Sequence, residues 1–252
     1  RVGRVGQGGQ GWAGWAGWAG LGGLMARILR ILDELQRFYG NLPAPPRDPF
    51  ALFVWEVMSV HTSPRKRDAA MGALKQKRIL TPDSMWTAPQ KTLQESVAAA
   101  GPYSEQRLRS LRTGAGAFRK SPDLPKIIKG PLPAARKVLK GIPQMGEGGA
   151  YRMLLFAADH AVLPVDARVS RVAVRLGFGT LQSNFTKTAR SIREAVASEL
   201  PRDADSYRVA YLYLTHHGNS TCTQADPHCR VCPVSSECDE GKARLSRQGG
   251  QS

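Results

Sequence analysis

Four cysteines lie close together near the C-terminal end of the chain, and they are the only cysteines in its 252 residues. Cys222, Cys229, Cys232 and Cys238 follow the spacing C-x6-C-x2-C-x5-C. Four soft thiolates in one short segment suit tetrahedral zinc or an iron–sulfur cluster. Zinc ribbons commonly carry two C-x2-C pairs, whereas this chain has one such pair with unequal arms. The spacing therefore favours a [4Fe-4S] cluster, with zinc or two disulfides as the alternatives.

A second candidate site is a tight turn between two predicted helices, formed by Ile142, Pro143, Gln144, Met145 and Gly146. The proline fixes one φ angle, the glycine permits an unusual one, and the isoleucine and methionine are expected to anchor the turn in the core. Backbone amides at the start of the following helix would then point outward, at the positive end of its dipole. Such amides bind phosphate without a side chain. An ordinary helical hairpin is the alternative.

A third candidate is Asp166, which lies twenty residues after Gly146 and directly before a predicted helix. Its simplest role is that of an N-cap, because a carboxylate at this position accepts hydrogen bonds from the first amides of the helix. A carboxylate at the same place can also carry chemistry.

The charge of the chain indicates a polyanionic partner. Lys and Arg number 36 against 20 Asp and Glu, which gives a net charge of +16 and a pI of about 10.2. A balance this basic is typical of nucleic-acid binding, although a merely soluble basic surface is the alternative. No apolar run reaches membrane-spanning length, so a membrane is not expected among its partners. The basic residues concentrate at 65–67, 75–78, 107–112 and 126–140.

The elements that must position these residues are predicted to be helices throughout, because no run shows the alternating pattern of a strand. The class is therefore all-α. Helices are predicted at 26–39, 49–58, 67–77, 81–86, 89–100, 104–118, 132–140, 147–160, 168–176, 186–200 and 203–216. Residues 1–24 repeat Gly-Trp-Ala and are expected to be a disordered tail or an extension upstream of Met25. Residues 239–252 are also expected to be disordered.

Together these features resemble the endonuclease III group of helix-hairpin-helix DNA glycosylases that carry an iron–sulfur cluster. The family's Leu-Pro-Gly-Val-Gly turn corresponds to residues 142–146, and its Val-Asp-Thr-His-Val corresponds to residues 165–169. His217-Gly218 precedes Cys222 as in the family, and the cysteine spacing matches without a gap. The resemblance covers residues 25–238.

The resemblance implies two helical domains that flank a DNA-binding cleft. A six-helix barrel with the hairpin would span 42–160, and a cluster domain would combine 25–41 with 161–252. The four cysteines would hold the [4Fe-4S] cluster. Asp166 would be catalytic at the pocket that receives the flipped base. The hairpin residues, Gly148 and Arg168 would contact double-stranded DNA that contains damaged or mismatched bases. The protein would act as a monomer in the cytoplasm, associated with the nucleoid.

The sequence departs from the family at three positions. The lysine that bifunctional members use to form a Schiff base is replaced by Gly148, so strand cleavage is expected to be weak or absent. His61 stands where the family has the glutamine that fills the gap left by the flipped base. The loop after Cys222 contains Asp226 where the family is usually basic, which would move phosphate contact to Arg230 or to another basic residue. These changes leave a non-catalytic sensor of damaged DNA as the alternative to a glycosylase.

Overall fold

The computed structural model describes residues 26–249. Within that range every regular element is a helix and there is no strand, which confirms the all-α prediction. The predicted N-terminal tail, residues 1–24, lies outside the described residues. None of the helices in the described part of the chain has the length and apolar content needed to cross a lipid bilayer.

The helices follow one another along the chain with short connections. They are α1 (Arg27–Tyr39), α2 (Pro49–Ser59), α3 (Pro64–Gln76), α4 (Pro82–Thr87), α5 (Gln90–Ala98), α6 (Ser104–Lys120), α7 (Leu124–Ile127), α8 (Leu132–Lys140), α9 (Glu147–Phe156), α10 (Ala167–Arg175), α11 (Phe185–Ala197), α12 (Ala204–Ser220) and α13 (Asp239–Gly249). Two 3₁₀ turns, Cys229–Val231 and Ser235–Glu237, precede α13.

The chain divides into two compact units. One unit is Pro45–Pro164, called here the hairpin unit. The other, called the cysteine unit, combines the described residues up to Ala44 with those from Val165 onward.

The hairpin unit is built around α2, which contacts α3, α6 and α9. Asp48 caps this helix by accepting a hydrogen bond from the Ala51 amide at 2.8 Å, and Pro49 occupies its first turn. The helix is apolar on nearly all sides and is largely buried, as expected for a central helix. Helix α6 packs closely against it at Gly114, where a Cβ would lie 2.0 Å from the Phe53 ring. A side chain at Gly114 is therefore excluded unless Phe53 moves.

The cysteine unit is held together by α1 and α10, which both pack on α12. Helix α1 buries Ile28, Ile31, Leu32 and Leu35 on one face, as its sequence period predicts. Gly218 of α12 allows the close crossing with α10, because a Cβ there would lie 3.1 Å from the Arg168 Cβ. The glycine of the His217-Gly218 pair is thus explained by packing.

Two predictions about elements are wrong. Residues 239–249 form α13 instead of being disordered, because the helix packs against both 3₁₀ turns and the amide of its Gly241 donates to the Cys238 sulfur at 3.3 Å. Helix α9 ends at Phe156 and not at 160, since Asp159 adopts a left-handed conformation with φ 58°. The short helix α7 and the 3₁₀ turns contain too few residues for a periodic pattern to reveal them.

Candidate functional site

The four cysteines line one small cavity in the cysteine unit, and none of them forms a disulfide. Cys222 follows the end of α12, Cys229 begins the first 3₁₀ turn, Cys232 follows that turn, and Cys238 lies between the second turn and α13. The structure therefore does not contain the two disulfides that the sequence left as an alternative. The chain winds around the cavity and presents a thiol from each of its bends.

Among residues 26–249, no group of three or more His, Cys, Asp or Glu residues is arranged to hold a single metal ion. A zinc ion draws four sulfurs to about 2.3 Å from one centre, whereas in a four-iron cluster each thiolate binds a different iron. Four thiols that line one shared cavity are a donor set that suits such a cluster.

The thiols of this cavity are hard to ionise unless positive charge lies close to them. Burial raises the pKa of Cys232 to about 11, and it also raises the pKa values of Cys229 and Cys238 above the ordinary range. Coordinating thiols are ionised by the metal that binds them. Arg175 contributes further positive charge, because its Nη1 lies 3.3 Å from the Cys222 sulfur.

Polar groups behind the cysteines fix the segment to α1 and α10. His217 Nε2 lies 3.7 Å from the Cys232 sulfur, and its Nδ1 lies 2.7 Å from the Tyr39 hydroxyl. Burial, with His216 nearby, lowers the pKa of His217 to about 4, so this imidazole is neutral near pH 7. Arg171 donates to the carbonyl oxygens of Cys222 and Gly218 at 2.9 and 2.7 Å. Tyr39, Arg171 and Arg175 are not among the site residues predicted from the sequence, because they are distant from the cysteines along the chain.

The loop that follows Cys222 exposes both residues singled out from the sequence. Asp226 and Arg230 are exposed, and Arg230 lies in the first 3₁₀ turn. Contact of Arg230 with phosphate stays a prediction.

Asp166 is the N-cap of α10. Its Oδ1 accepts from the amides of Arg168 and Val169 at 2.9 and 3.0 Å, and its Oδ2 accepts from Arg168 Nη2 at 2.8 Å. Arg168, predicted to contact DNA, therefore pairs with Asp166 within the cysteine unit. Where the family has histidine, this chain places a permanent positive charge beside the carboxylate.

The hairpin joins α8 to α9 and has the predicted anchors. Ile142 and Met145 are buried, while Pro143, Gln144 and Gly146 are exposed. The expectation that Gly146 adopts an unusual φ is wrong, because its φ is −67°. The left-handed residue is Gln144, with φ 67°. This is the position where the family's turn has its first glycine.

Glu147, the first residue of α9, lies at the helix end that was predicted to bind phosphate. Its carboxylate accepts from Arg136 Nε at 3.0 Å and pairs with Lys140 Nζ at 3.3 Å. Burial opposes ionisation of this group, but the hydrogen bonds and charges of Arg136 and Lys140 outweigh burial and lower the pKa of Glu147. Glu147 therefore forms ion pairs with two cations of the basic segment 126–140, Arg136 and Lys140.

Gly148 is the second residue of α9, and the guanidinium of Arg152 lies beside it. A Cβ at position 148 would lie 3.4 Å from Arg152 Nη1. Arg152 in turn pairs with Glu56 of α2 through two hydrogen bonds, and both side chains are only 16% exposed. A largely buried charged pair therefore lies next to the position of the family's lysine.

A cavity of about 320 Å³ in the hairpin unit brings several of these groups together. Three residues singled out from the sequence, His61, Gln144 and Met145, line it. Asp166 and Arg168 belong to the other unit. The polar lining residues are Glu56, His61, Tyr103, Gln106, Arg107, Ser110, Gln144 and Arg152.

Arg107, which the sequence analysis did not single out, shapes the rim of this cavity. It is 3% exposed, and its Nη2 donates to the Val60 carbonyl at 2.7 Å while its Nη1 donates to the Gly101 carbonyl at 3.2 Å. These bonds join the two segments in which His61 and Tyr103 adopt left-handed conformations, with φ 48° and 72°. The two rings lie 5.5 Å apart and face the cavity rim.

Comparison with known proteins connects both units to one group of proteins. No family model matches the chain. Endonuclease III homolog 1, chloroplastic, of Arabidopsis thaliana is 26% identical over 211 residues, which cover 79% of this chain and 51% of that protein. A thymine/uracil-DNA glycosylase of Pyrobaculum aerophilum is 25% identical over 114 residues, which cover 45% of this chain and 50% of that protein. The chain thus spans about half the length of these relatives.

Solved structures show the same fold. An endonuclease III trapped as a covalent intermediate with DNA has a TM-score of 0.66 at 22% identity, and the match covers 87% of this chain and 97% of that one. A thermostable thymine-DNA glycosylase has a TM-score of 0.65 at 18% identity, and the match covers 86% of this chain and 97% of that one. The predicted similarity to endonuclease III is confirmed at the level of the fold.

Proposed function

We propose that this endonuclease III-like chain binds double-stranded DNA as a monomer and excises damaged or mismatched bases in base-excision repair. The observation that carries the proposal is the coincidence, in one chain, of the endonuclease III fold with the hairpin and a four-cysteine cavity. A basic chain of this kind would act on nucleoid DNA in the cytoplasm.

In this proposal the cysteines hold a [4Fe-4S] cluster. When bound, the cluster cross-links the C-terminal segment and can exchange one electron. The residues of the chain would position the cluster. The turns carry the thiolates, Arg175 donates to the Cys222 sulfur, and His217 Nε2 lies 3.7 Å from the Cys232 sulfur.

Base removal would proceed with water as the nucleophile, because Gly148 carries no amine. Asp166 would stabilise the positive sugar or take a proton from the attacking water. Its oxygens already accept from two amides and Arg168, which hold the carboxylate in one orientation. The product would be an intact strand with an abasic site.

The central experiment incubates a panel of lesion-bearing and mismatched duplexes with the protein, and analyses each with and without heating in alkali. We expect strand breaks only after alkali, no covalent complex with borohydride, and loss of excision in Asp166→Asn. Efficient borohydride trapping by the wild type would show that another amine, such as that of Lys140, acts as nucleophile. It would overturn the assignment of a water-dependent reaction.

Gly148→Lys tests the altered position directly. The Cβ of the new side chain would lie 3.4 Å from Arg152 Nη1. A cation near a lysine amine favours the neutral, nucleophilic form of that amine. We expect a gain of borohydride trapping in this variant. Gly148→Met, similar in length but without an amine, is the matched control and should not be trapped.

The cluster and the DNA interaction have their own tests. The purified protein should be yellow-brown, absorb broadly near 400 nm and contain roughly four irons per chain. Stoichiometric zinc without iron after anaerobic purification would contradict the cluster. The logarithm of DNA affinity should fall steeply with the logarithm of salt concentration, and an affinity independent of salt would contradict the charge argument.

A non-catalytic sensor of damaged DNA is the second candidate, and the Asp166–Arg168 pair favours it. A carboxylate neutralised by a permanent cation at 2.8 Å is a weaker base than a free one. Tight binding of damaged duplexes without excision of any base would select this candidate. Restoration of excision by Arg168→His would instead show that the cation suppresses a glycosylase.

A further inference from the structure

The basic segment 126–140 does not present all of its positive charge to a partner. It contains five cations, and two of them, Arg136 and Lys140, lie four residues apart on α8. Both form ion pairs with Glu147, the first residue of α9. Lys137 of the same helix is exposed and forms no ion pair with any residue of the described part of the chain. The segment therefore carries paired and unpaired cations side by side.

Each oxygen of the Glu147 carboxylate faces one of the two cations. Oε1 accepts from Arg136 Nε at 3.0 Å and from Arg136 Nη2, while Oε2 lies 3.3 Å from Lys140 Nζ. The Arg136 guanidinium also lies over the Tyr151 ring, 5.5 Å from its centroid, so two side chains of α9 hold it. The three charged side chains are between 38 and 52% exposed, so DNA can reach all of them.

The position of Glu147 is one that favours an anion. It lies in the first turn of α9, at the positive end of the helix dipole, and Lys140 lies in the last turn of α8. Carboxylate and phosphate oxygens accept hydrogen bonds from the same guanidinium and ammonium donors. A DNA phosphate that approached Arg136 and Lys140 would therefore meet a carboxylate of like charge that is already bound to both.

From this arrangement we propose that Glu147 is an intramolecular competitor of DNA phosphate, which withholds Arg136 and Lys140 from the DNA backbone and lowers the affinity for DNA. The inference rests on the proposed binding of double-stranded DNA and names a residue that limits it. Phosphate contacts carry no direct information on the base sequence, so Glu147 weakens the binding of undamaged and damaged duplexes alike. The other basic segments of the chain then supply a larger share of the contact with the backbone.

Glu147→Gln removes the competing charge and keeps the size of the side chain. Affinity for a short undamaged duplex, measured by fluorescence anisotropy over a range of salt concentrations, should rise by about threefold or more at low salt. The slope of log affinity against log salt should become steeper by about 1 to 2, because each cation that reaches a phosphate releases a counterion. Asp123→Asn removes an exposed carboxylate three residues before the segment and is the matched control, which should leave the slope unchanged.

A double-mutant cycle assigns the effect to the paired cations. In the wild type, the Lys140 ammonium must leave Glu147 before it can bind a phosphate. Lys140→Gln should therefore weaken DNA binding less in the wild type than in the Glu147→Gln background. Lys137→Gln, a change in the same helical turn, should weaken binding by the same factor in both backgrounds, because Lys137 has no ion pair to break. Far-ultraviolet circular dichroism checks that every variant is folded.

Three results would overturn the inference: an affinity and a salt slope in Glu147→Gln equal to those of the wild type, equal gains in Glu147→Gln and Asp123→Asn, or equal coupling of Glu147 to Lys137 and to Lys140. A role of Glu147 confined to the stability of α9 would give the first of these. Absence of DNA binding in both the wild type and Glu147→Gln would instead contradict the proposed function itself. The two failures are therefore distinguishable.

Discussion

The cysteine segment after α12 and the cavity of the hairpin unit carry the family pattern to different extents. The cysteine segment matches it residue for residue in spacing. The cavity has the hairpin and the same surrounding helices, but its chemical groups differ, with Gly148 at the lysine position, His61 at the glutamine position and a Glu56–Arg152 pair between them.

The difference follows from what each region must hold. Four ligands that surround one cluster are constrained together, because the loss of any one exposes the whole group. A pocket made by α2, α6 and α9 has no such constraint: each helix keeps its place through buried apolar residues, so the polar groups that it presents can change one at a time. The scaffold of a site is therefore a weaker guide to its chemistry than a ligand set is.

The largest effect is expected where the ligand set is broken. Cys229→Ala should lose the iron and the absorption near 400 nm, and should unfold the segment from Cys222 to α13, whose apolar content is too low to fold alone. Iron analysis, the visible spectrum and limited proteolysis measure these changes. Ser236→Ala, an exposed change in the same segment, should leave all three unaltered. Full iron content in Cys229→Ala would remove this residue from the ligand set.

The next effect tests whether the cavity is held as firmly as the cysteine segment. Arg107→Met removes a buried cation that ties together the segments of His61 and Tyr103, and leaves the carbonyls of Val60 and Gly101 with only the hydroxyl donors of Thr62 and Ser104. We expect a destabilisation of about 2–4 kcal/mol. Urea unfolding followed by tryptophan fluorescence measures it. Arg109→Met on the exposed face of α6 should change stability by less than about 0.5 kcal/mol. Equal effects in the two variants would show that the rim does not depend on Arg107.

A smaller effect of opposite sign is expected at the hairpin. Gln144→Gly relieves a left-handed backbone conformation and should stabilise the protein by about 0.5–1 kcal/mol. Gly146→Ala is the matched change, since its φ is −67° and no atom lies within 4 Å of the added Cβ, so its stability should be nearly unchanged. Thermal unfolding of both variants distinguishes the two positions. Destabilisation by Gln144→Gly would show that contacts of the glutamine side chain stabilise the turn more than its left-handed backbone conformation destabilises it.

The smallest effect concerns acid stability. The pKa of Glu147 is lowered in the folded protein, so its contribution is present above its unfolded value and is lost as pH falls through the folded value, below about 4.5. Glu147→Gln should therefore reduce stability slightly at pH 7 and become equal to wild type near pH 3. The half-exposed pair with Lys140 limits the size of the effect. Urea midpoints at pH 7, 5 and 3 measure it, and a difference that grows as pH falls would contradict the sign.

The sequence predicted the fold class and most helices because apolar period, N-caps and prolines act locally. Asp48-Pro49 and Asp203 begin helices in the structure as their positions indicate. It missed α13 because that helix is mostly polar, and its order depends on packing against the two turns that carry cysteines. It placed the unusual φ of the hairpin on Gly146, since glycine permits such an angle, whereas the turn requires it at Gln144.

By itself, the sequence determined the cysteine set, the hairpin and the absence of an amine at position 148, because each is a property of neighbours along the chain. Only the tertiary structure decided that Arg152 stands beside Gly148 and pairs with Glu56, 96 positions away in sequence, and that Arg107 fixes His61 and Tyr103. Such pairs form only when packed helices bring distant residues within hydrogen-bond distance. No local pattern in the sequence encodes that distance.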